Sequence, residues 1–563
     1  MKNEKIGREQ ILMAREVLER YRQGKANLEK RIVENEQWYR LRHWECMRKE
    51  KNQVEPVSGW LFNAIANKHA DAMDNIPAAA ILPREPEDRQ LAQLLGSVIP
   101  AVLEQCDFEE VYHSVWDSKL KAGTGVYGVF WDGEKPGIGD IAIRKVDILS
   151  LFWESGITDI QDSRNVFHVQ LCDDDLLLHR YPQLEGKLGG ENPQLSRYLY
   201  DDTVDCSGKS AVVDWYYKKG GVLHYCKFVN DEVLFATENQ PEQYPGGWYD
   251  HGLYPFIFDP LFRTEGSPCG FGYIDVGKSA QEYIDRGNQA ILQNLLANTR
   301  PRHFIRNDGS VNEAEYADLT REFVHVDGHL GTDSIMPIEG KHLSSIYVDV
   351  IRDKIDELKE VTGNRDISTG GTASGVTAAS AIAAMQEAGS KLSRDHNKAS
   401  YRAFRRLVGM VIELIRQFYD LPRIFRITGG GFVRFSGAML RHADAAPVFD
   451  VTVTAQRKSP YSRMSQNELA LQFYNAGFFE PARSQQALAC LDMMDFEDRA
   501  SVMENIARGG QLMQLMQAAA GPVPGAAPMA PAPGRKAEIK GERQESHVTK
   551  RARQRVAEST API

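Results

Sequence analysis

Residues 344–420 read SSIYVDVIRDKIDELKEVTGNRDISTGGTASGVTAASAIAAMQEAGSKLSRDHNKASYRAFRRLVGMVIELIRQFYD. Val348, Ile351, Ile355, Leu358 and Thr362 fall at alternating spacings of three and four among Asp, Glu, Arg and Lys. That spacing predicts a charged helix with one narrow apolar stripe. In the next stretch, Gly363 to Gly375, Ile367 is the one large apolar residue, so a mobile loop is expected there. From Thr377 the chain runs without proline to Leu421, and Ala378, Ile382, Met385, Gly389, Leu392, Ala399, Ala403, Leu407, Val411, Leu414 and Phe418 trace a stripe along it. A helix of that length, about 60 Å at 1.5 Å per residue, outspans an ordinary domain and reads as a strut in an assembly.

The chain of 563 residues is 42% hydrophobic and 26% charged, the balance of a soluble globular protein of roughly three or four domains. No window approaches the roughly 20 apolar residues that cross a bilayer. Met1-Lys-Asn-Glu-Lys offers no apolar signal core, so synthesis in the cytosol and no membrane association are expected. The seven cysteines, at 46, 106, 172, 206, 226, 269 and 490, are never spaced as CxxC; they read as free thiols in a reducing compartment. A net charge of −10 argues against a protein that grips duplex DNA tightly by neutralising phosphates. It leaves open a surface past which DNA slides.

Around the opening stretch, residues 8–48 read as an amphipathic helix carrying Ile11, Leu12, Val17, Leu18 and Tyr21, with Pro56 beyond it. A second helix is expected over Trp60–Asn75, stopping before Pro77, then a turn at Pro83–Pro86 and a helix from Glu87. Pro100 reads as the first residue of a further helix reaching Lys121. Past Gly123-Thr-Gly125 the pattern alternates: 126–131 and 141–146 form a hairpin, and strands recur at 165–171, 211–217, 223–229 and 232–236. Antiparallel strands set inside helical sequence make the class α+β. A helix over Ile274–Asn298 shows a small and polar stripe through Val276, Ala280, Tyr283, Gly287, Ala290, Asn294 and Asn298, better suited to packing on copies of itself or lining a solvated surface than to filling a core. Between Arg302 and Leu343 a compact module is expected: strand 303–306, helix 312–321 and strands 323–326 and 334–338. Short strands follow at 424–428, 432–435 and 449–455, then helices at 465–476, 483–491 and 497–518. Beyond Ala520 the Pro/Ala/Gly-rich and then charged composition predicts disorder.

Few residues suggest catalysis. Gly370-Gly-Thr-Ala-Ser-Gly-Val-Thr lacks the Gly-Lys-Ser/Thr ending of a phosphate loop and follows a helix rather than a strand. Asp173-Asp-Asp175 reads as a helix cap. His303, His325, His329 and His342 cluster, but Gly328 interrupts a helical pairing of His325 with His329. With no nucleophile elbow and no HExxH, neither enzyme nor cofactor is expected. Lys354, Lys359, Arg365, Lys391, Arg394, Lys398, Arg402, Arg405 and Arg406 lie along the two helices and the loop between them. They read either as solvated partners of Asp349, Asp353, Glu357 and Glu360 or as weak phosphate contacts.

The order of these pieces, from about residue 55 to 510, resembles the portal proteins of tailed bacteriophages. Phe62-Asn-Ala-Ile-Ala-Asn-Lys-His-Ala-Asp-Ala-Met-Asp-Asn-Ile-Pro77 is similar to the family's opening of the wing, and Gly272-Tyr-Ile-Asp-Val-Gly-Lys-Ser-Ala-Gln281 through Asn288-Gln289 to its first stem helix. The resemblance implies a portal-like α+β fold with a helical stem, an α/β clip, a mixed wing containing antiparallel strands and a helical crown. Its segments would be an N-terminal helical segment 1–54, wing 55–265, first stem helix 266–301, clip 302–343, second stem helix 344–362, tunnel loop 363–376, long wing/tunnel helix 377–421, wing β segments 422–464, crown 465–519 and disordered tail 520–563. It further implies a homo-oligomeric ring, typically of twelve subunits, at one capsid vertex of the virion, assembled in the host cytoplasm. Double-stranded DNA would pass through without sequence readout, with terminase, the major capsid or scaffolding protein, and head-completion or tail adaptor proteins as partners. Gly363, Asn364, Arg365, Ser368, Thr369, Gly370, Gly371, Thr372, Ser374 and Gly375 would then face DNA, with Lys354, Lys359, Lys391 and Arg394 as candidate channel-lining bases. A helical scaffold or adaptor without a DNA channel is the alternative, and a nuclease or nucleotide-using enzyme a third reading for which no site is evident.

Overall fold

The computed structural model describes residues 5–48, 53–135, 138–189, 208–299, 303–305, 312–317, 325–326, 335–337, 344–364, 391–426, 432–441, 447–457, 470–492 and 502–511. The chain divides into two units, Met1–Ser459 and Pro460–Ile563. Helices and antiparallel sheets are mixed, as expected of an α+β protein.

The first unit opens with α1 (Arg8–Tyr39) and the short α2 (His43–Cys46). Ile11, Ala14, Leu18, Lys25, Glu29 and Ile32 line the buried side of α1 at helical spacing. The helix stops well before Pro56, because Leu41 adopts a left-handed φ of 60°. Next come α3 (Trp60–Met73), β1 (Asn75–Pro83), α4 (Arg89–Gln105) and α5 (Phe108–Ala122). The expectation for this region needs two corrections. Pro100 does not start a helix but sits inside α4, on its exposed side, where a carbonyl deprived of its donor can be hydrated. The break instead falls at Asp107, whose φ of 48° is tolerated by a short polar side chain. Second, Asn75–Pro83 is a strand, paired antiparallel along its full length with β14 (Phe449–Arg457). Pro77 is accommodated because among the described residues this is a two-stranded ribbon, whose strands each keep a free edge. The Pro-Ala-Ala-Ala composition carries little strand propensity of its own, so the pairing is made by a partner remote in sequence.

Between these lie β2 (Thr124–Asp132), β3 (Asp140–Lys145), β4 (Leu151–Trp153), β5 (Asn165–Asp173), α6 (Asp174–Arg180), β6 (Lys209–Lys219), β7 (Val222–Val229), β8 (Glu232–Ala236) and β9 (Phe256–Pro260). They form a five-stranded sheet of order β4-β5-β6-β7-β8 and a three-stranded sheet of order β3-β2-β9, antiparallel throughout. Gly220 and Gly221, both at positive φ, make the two-residue turn joining β6 to β7. Asp173 stands at the N-cap of α6 without a side-chain capping hydrogen bond; the acidic pair Asp174 and Asp175 in the first turn matches the helix dipole instead.

Then follow α7 (Tyr273–Thr299), β10 (His303–Ile305), α8 (Glu313–Ala317), β11 (Ile335–Pro337), α9 (Ile346–Thr362), α10 (Lys391–Phe418), β12 (Arg423–Arg426), β13 (Phe432–Phe435) and finally β14. β10 pairs with β11, and β12 with β13. The expected helix from Thr377 is described from Lys391 onward; residues 377–390 and the tail beyond 511 lie outside the described residues. Leu407, Val408, Val411, Leu414 and Ile415 of α10 are fully buried in the main core. In the second unit, α11 (470–475), α12 (Ser484–Asp492) and α13 (502–511) enclose Phe473, Ala487, Leu491 and Ile506.

Six described cysteines are unpaired thiols. Burial pushes Cys226 and Cys269 up to about 12, which keeps them protonated and unreactive at neutral pH. No helix among the described residues is long and apolar enough to cross a membrane.

Gly123, at φ +84°, joins α5 to β2 where a Cβ would lie 2.4 Å from the Phe271 carbonyl carbon. Gly123→Ala is expected to destabilise the first unit by about 2–3 kcal/mol, from backbone strain and a clash with backbone that cannot yield. Chemical denaturation monitored by tryptophan fluorescence measures this.

Candidate channel-facing helices and the roots of their loop

Helices α7 and α9 pack side by side, closely enough that a Cβ on Gly287 would come within 2.8 Å of Ile351. The expected stripe on α7 is not its buried side. Val276 and Tyr283 are exposed, whereas Tyr273, Ile274, Gln281, Ile284 and Asp285 are buried along with Ala280. Polar residues replace aliphatic ones on this side because they are hydrogen-bonded there. Asp285 accepts from Ser58 N (3.0 Å), Ser58 Oγ (2.7 Å) and Gln281 Nε2 (3.1 Å), and pairs with His43 Nδ1 at 2.5 Å. Gln281 Oε1 accepts from Leu61 N at 3.1 Å, and Gln289 Nε2 donates to Val54 O at 2.8 Å. Segment 54–61 is thereby fastened along α7.

Helix α9 grades from exposed to buried. Ile346, Tyr347, Val348 and Val350 are exposed, Ile351 and Ile355 are half-buried, and Leu358 and Thr362 are buried. Its end at Gly363 (φ 66°) is a left-handed C-cap. Lys68 of α3, itself 6% exposed, donates to Gly363 O at 3.3 Å and to Ser393 Oγ of α10 at 3.0 Å. Asn67 Nδ2 donates to Asn364 Oδ1 at 3.4 Å, and Ser393 Oγ to Asp71 Oδ2 at 3.3 Å. One lysine therefore holds the chain where it leaves α9 and again where it enters α10. Burial lowers the Lys68 pKa, and Asp71 works against that shift.

The first turns of α10 rest on polar groups. Ser393 meets Lys68 and Asp71, and Ser400 meets Lys119 (2.5 Å) and Asp259 (2.6 Å), themselves paired at 2.8 Å. From Ala403 onward the buried contacts are apolar, while Arg406, Arg416 and Gln417 bond Asp159, Pro447 O and Trp248 O at the rim.

Of the residues expected to face DNA, Gly363 and Asn364 are described, and they form the root of the loop, with Asn364 largely buried against α3. Arg365, Ser368, Thr369, Gly370, Gly371, Thr372, Ser374 and Gly375 lie outside the described residues. Lys354 bonds Glu357 at 2.6 Å, which raises its pKa, and lies 5.5 Å from the Tyr283 ring centroid. Lys359 lies 5.6 Å from the Trp60 ring centroid. Arg394 is exposed on α10, and the Lys391 side chain is not among those described. Of the four histidines, His325 pairs with Glu315 at 2.9 Å; no group of three or more His, Cys, Asp or Glu suited to a metal occurs among the described residues. Lys68, Lys119, Gln281 and Asp285 were not singled out from the sequence. Lys68 did carry a signal: it lies on the stripe of Leu61, Ala64, Ile65 and Ala72, where a charge is out of place.

Lys68→Met is expected to shift global stability by less than about 1 kcal/mol, because lost hydrogen bonds are offset by relief of a buried charge. Amide exchange at Asn364 and Ser393 should rise severalfold, as measured by hydrogen–deuterium exchange. His396 of α10 has its pKa held down to about 4 by burial, with Lys119 and Lys68 adding to the effect and Asp395 and Asp259 opposing it. An unfolded histidine protonates near 6.5, so the unfolded state takes up the proton first. Stability is thus complete above about pH 6.5 and falls as pH drops toward 4. Thermal melting across this range should be flatter for His396→Asn than for the parent chain.

No curated protein sequence matches the chain. Among solved structures it is similar to a chain of the "Virion of native gene transfer agent (GTA) particle", at 10% identity and a TM-score of 0.32, over 80% of this chain and 98% of that one. The family model for the phage P22-like portal protein matches residues 30–252 and 218–559. Those two matches span most of both units, and the chain belongs to the phage P22-like portal protein family, a structural and non-enzymatic family of the phage head.

Proposed function

We propose that this portal protein forms a ring-shaped conduit at one capsid vertex through which double-stranded DNA is packaged and ejected. The carrying observation is the family match across most of the chain. In this reading α7 and α9 are the stem, 302–343 the clip that docks terminase and later head-completion or tail proteins, 363–376 the loop that meets DNA, and 465–519 the crown. Beyond its buried root at Gly363 and Asn364, the loop supplies Ser, Thr and Arg side chains that contact phosphate without reading sequence. The net charge of −10 keeps attraction to the duplex transient.

Physical support for a ring comes from the exposed apolar residues of the stem pair. Tyr283, Leu292, Leu295 and Leu296 of α7 and Ile346, Tyr347, Val348 and Val350 of α9 stand exposed. Apolar surface of that extent calls for a covering neighbour. A head-to-tail contact repeated around an axis covers it on every subunit when the ring closes.

Negative-stain imaging with a solution mass should show closed rings with a hole wide enough for a duplex; a small particle that stays small at high concentration would refute the ring. Deleting Ser368–Ser374 should leave rings intact while packaging of DNA into capsids falls. Normal packaging by that deletion would remove the loop from the mechanism.

A further inference from the structure

The two helices that flank the loop each carry a row of like charge on the exposed side. On α9, Asp349, Asp353, Asp356 and Glu360 follow one another at spacings of four, three and four, all exposed. They lie opposite the side that Ile351, Ile355, Leu358 and Thr362 turn inward. On α10, Arg394, Lys398, Arg402 and Arg405 follow at four, four and three, also exposed, on the side away from the buried Phe404, Leu407 and Val411. One row runs from 349 to 360 and the other from 394 to 405, so each rises about 17 Å along its helix. Arg352 borders the first row and Asp395 the second.

Side chains of like sign three or four residues apart on a helix repel each other. Each row therefore weakens its own helix unless the opposite charge is brought to it. Among the described residues, Asp349, Asp353 and Asp356 make no ion pair, and neither do Lys398, Arg402 and Arg405. Arg405 acts only at a distance, adding to the pull of Arg84 that keeps the Asp450 carboxyl low. Every copy thus carries one row of each sign, equal in length, on two different helices. A closed ring of identical subunits joins two different surfaces of each copy, one to the neighbour on either side. We propose that the basic row of α10 docks on the acidic row of α9 in the adjacent subunit. The contact rests on the ring reading and supplies its polar part. The acidic row runs beside Ile346 and Val350, exposed apolar residues that a ring neighbour covers. Duplex DNA is another polyanion that the basic row could meet, but it leaves the acidic row without a partner; a second copy satisfies both rows at once. Matched rows also suppress wrong registers, which set like charges together.

Charge reversal on the full chain is the test. Asp353→Lys with Asp356→Lys reverses the acidic row, and Lys398→Glu with Arg402→Glu reverses the basic one. All four sites are exposed, so each variant should keep the circular dichroism of the parent. Assembly is followed by sedimentation and negative stain. Either double variant should raise the concentration for half-assembly by about tenfold or more. The quadruple variant, opposite in sign on both rows, should return to within about twofold of the parent. Parent assembly should weaken as salt rises. Double variants that assemble like the parent, or a quadruple variant that is not rescued, overturn the contact; parent rings seen in the same stain keep the ring reading standing. A parent that never forms rings brings down both. Asp356→Cys with Arg402→Cys, treated with a short bismaleimide, should give a ladder of dimers and higher species, whereas cross-linking confined to single chains refutes a contact between subunits. Rings that persist in Lys398→Glu with Arg402→Glu, while a duplex oligonucleotide held by the parent is released, assign the basic row to DNA and also overturn the proposal.

Discussion

A buried ammonium group must have acceptors, and the place where Lys68 finds them organises the centre of this protein. The acceptors are the last carbonyl region of one helix, Gly363 O, and a hydroxyl in the first turn of the next, Ser393 Oγ. Because the lysine sits on the inward side of α3, satisfying it draws together the two ends of a long connection. The same helix touches α5, α7, α9 and α10. In the portal reading, the DNA-contacting loop is therefore carried on a fixed base whatever its own conformation.

The seating of α10 changes character along its length. Its first turns bond Lys68, Asp71, Lys119 and Asp259, while the stretch from Ala403 to Tyr419 is held mainly by aliphatic and aromatic packing, with polar contacts from Arg406, Arg416, Gln417 and Tyr419 at its rim. Hydrogen bonds at the half-buried Ser393 and the exposed Asp71 can be exchanged for water at small net cost, whereas apolar packing and the buried Ser400, Lys119 and Asp259 set further along resist local opening. The start of α10 is on these grounds the softer part, and it is the part that adjoins the loop.

The legible and the illegible in this sequence separate by mechanism. Strands with regular alternation, such as Lys209–Lys219 and Val222–Val229, and turns such as Gly220-Gly221 could be read directly, since local chemistry decides them. The stripe ending in Leu358 and Thr362 was equally plain. Asn75–Pro83 was not, because its partner strand is remote and its composition is poor in strand formers. On α7 the small and polar stripe was legible as a poor core face, but the buried side was not: it carries Gln281 and Asp285, whose burial depends on Ser58 and His43 arriving from elsewhere in the chain. Pro100 was misplaced because an exposed proline inside a helix looks the same in sequence as one at its start. For the candidate site, the helices flanking the loop could be anticipated from the sequence; the lysine at its root surfaced only with the packing.

The ribbon of β1 with β14 bears on how the chain is made. Arg84, one residue past β1, and Asp450 of β14 pair at its end and are 366 residues apart. At roughly 5–20 residues per second, synthesis separates the two strands by about 20–70 s. Throughout that interval Asn75–Pro83 is an unpaired edge, and the surface meant for α10 is incomplete. Such edges and surfaces are where nascent chains stick to one another. Protection of the nascent chain is therefore a requirement built into the topology, and subunits become competent to meet one another only after nearly all of the first unit has been synthesised.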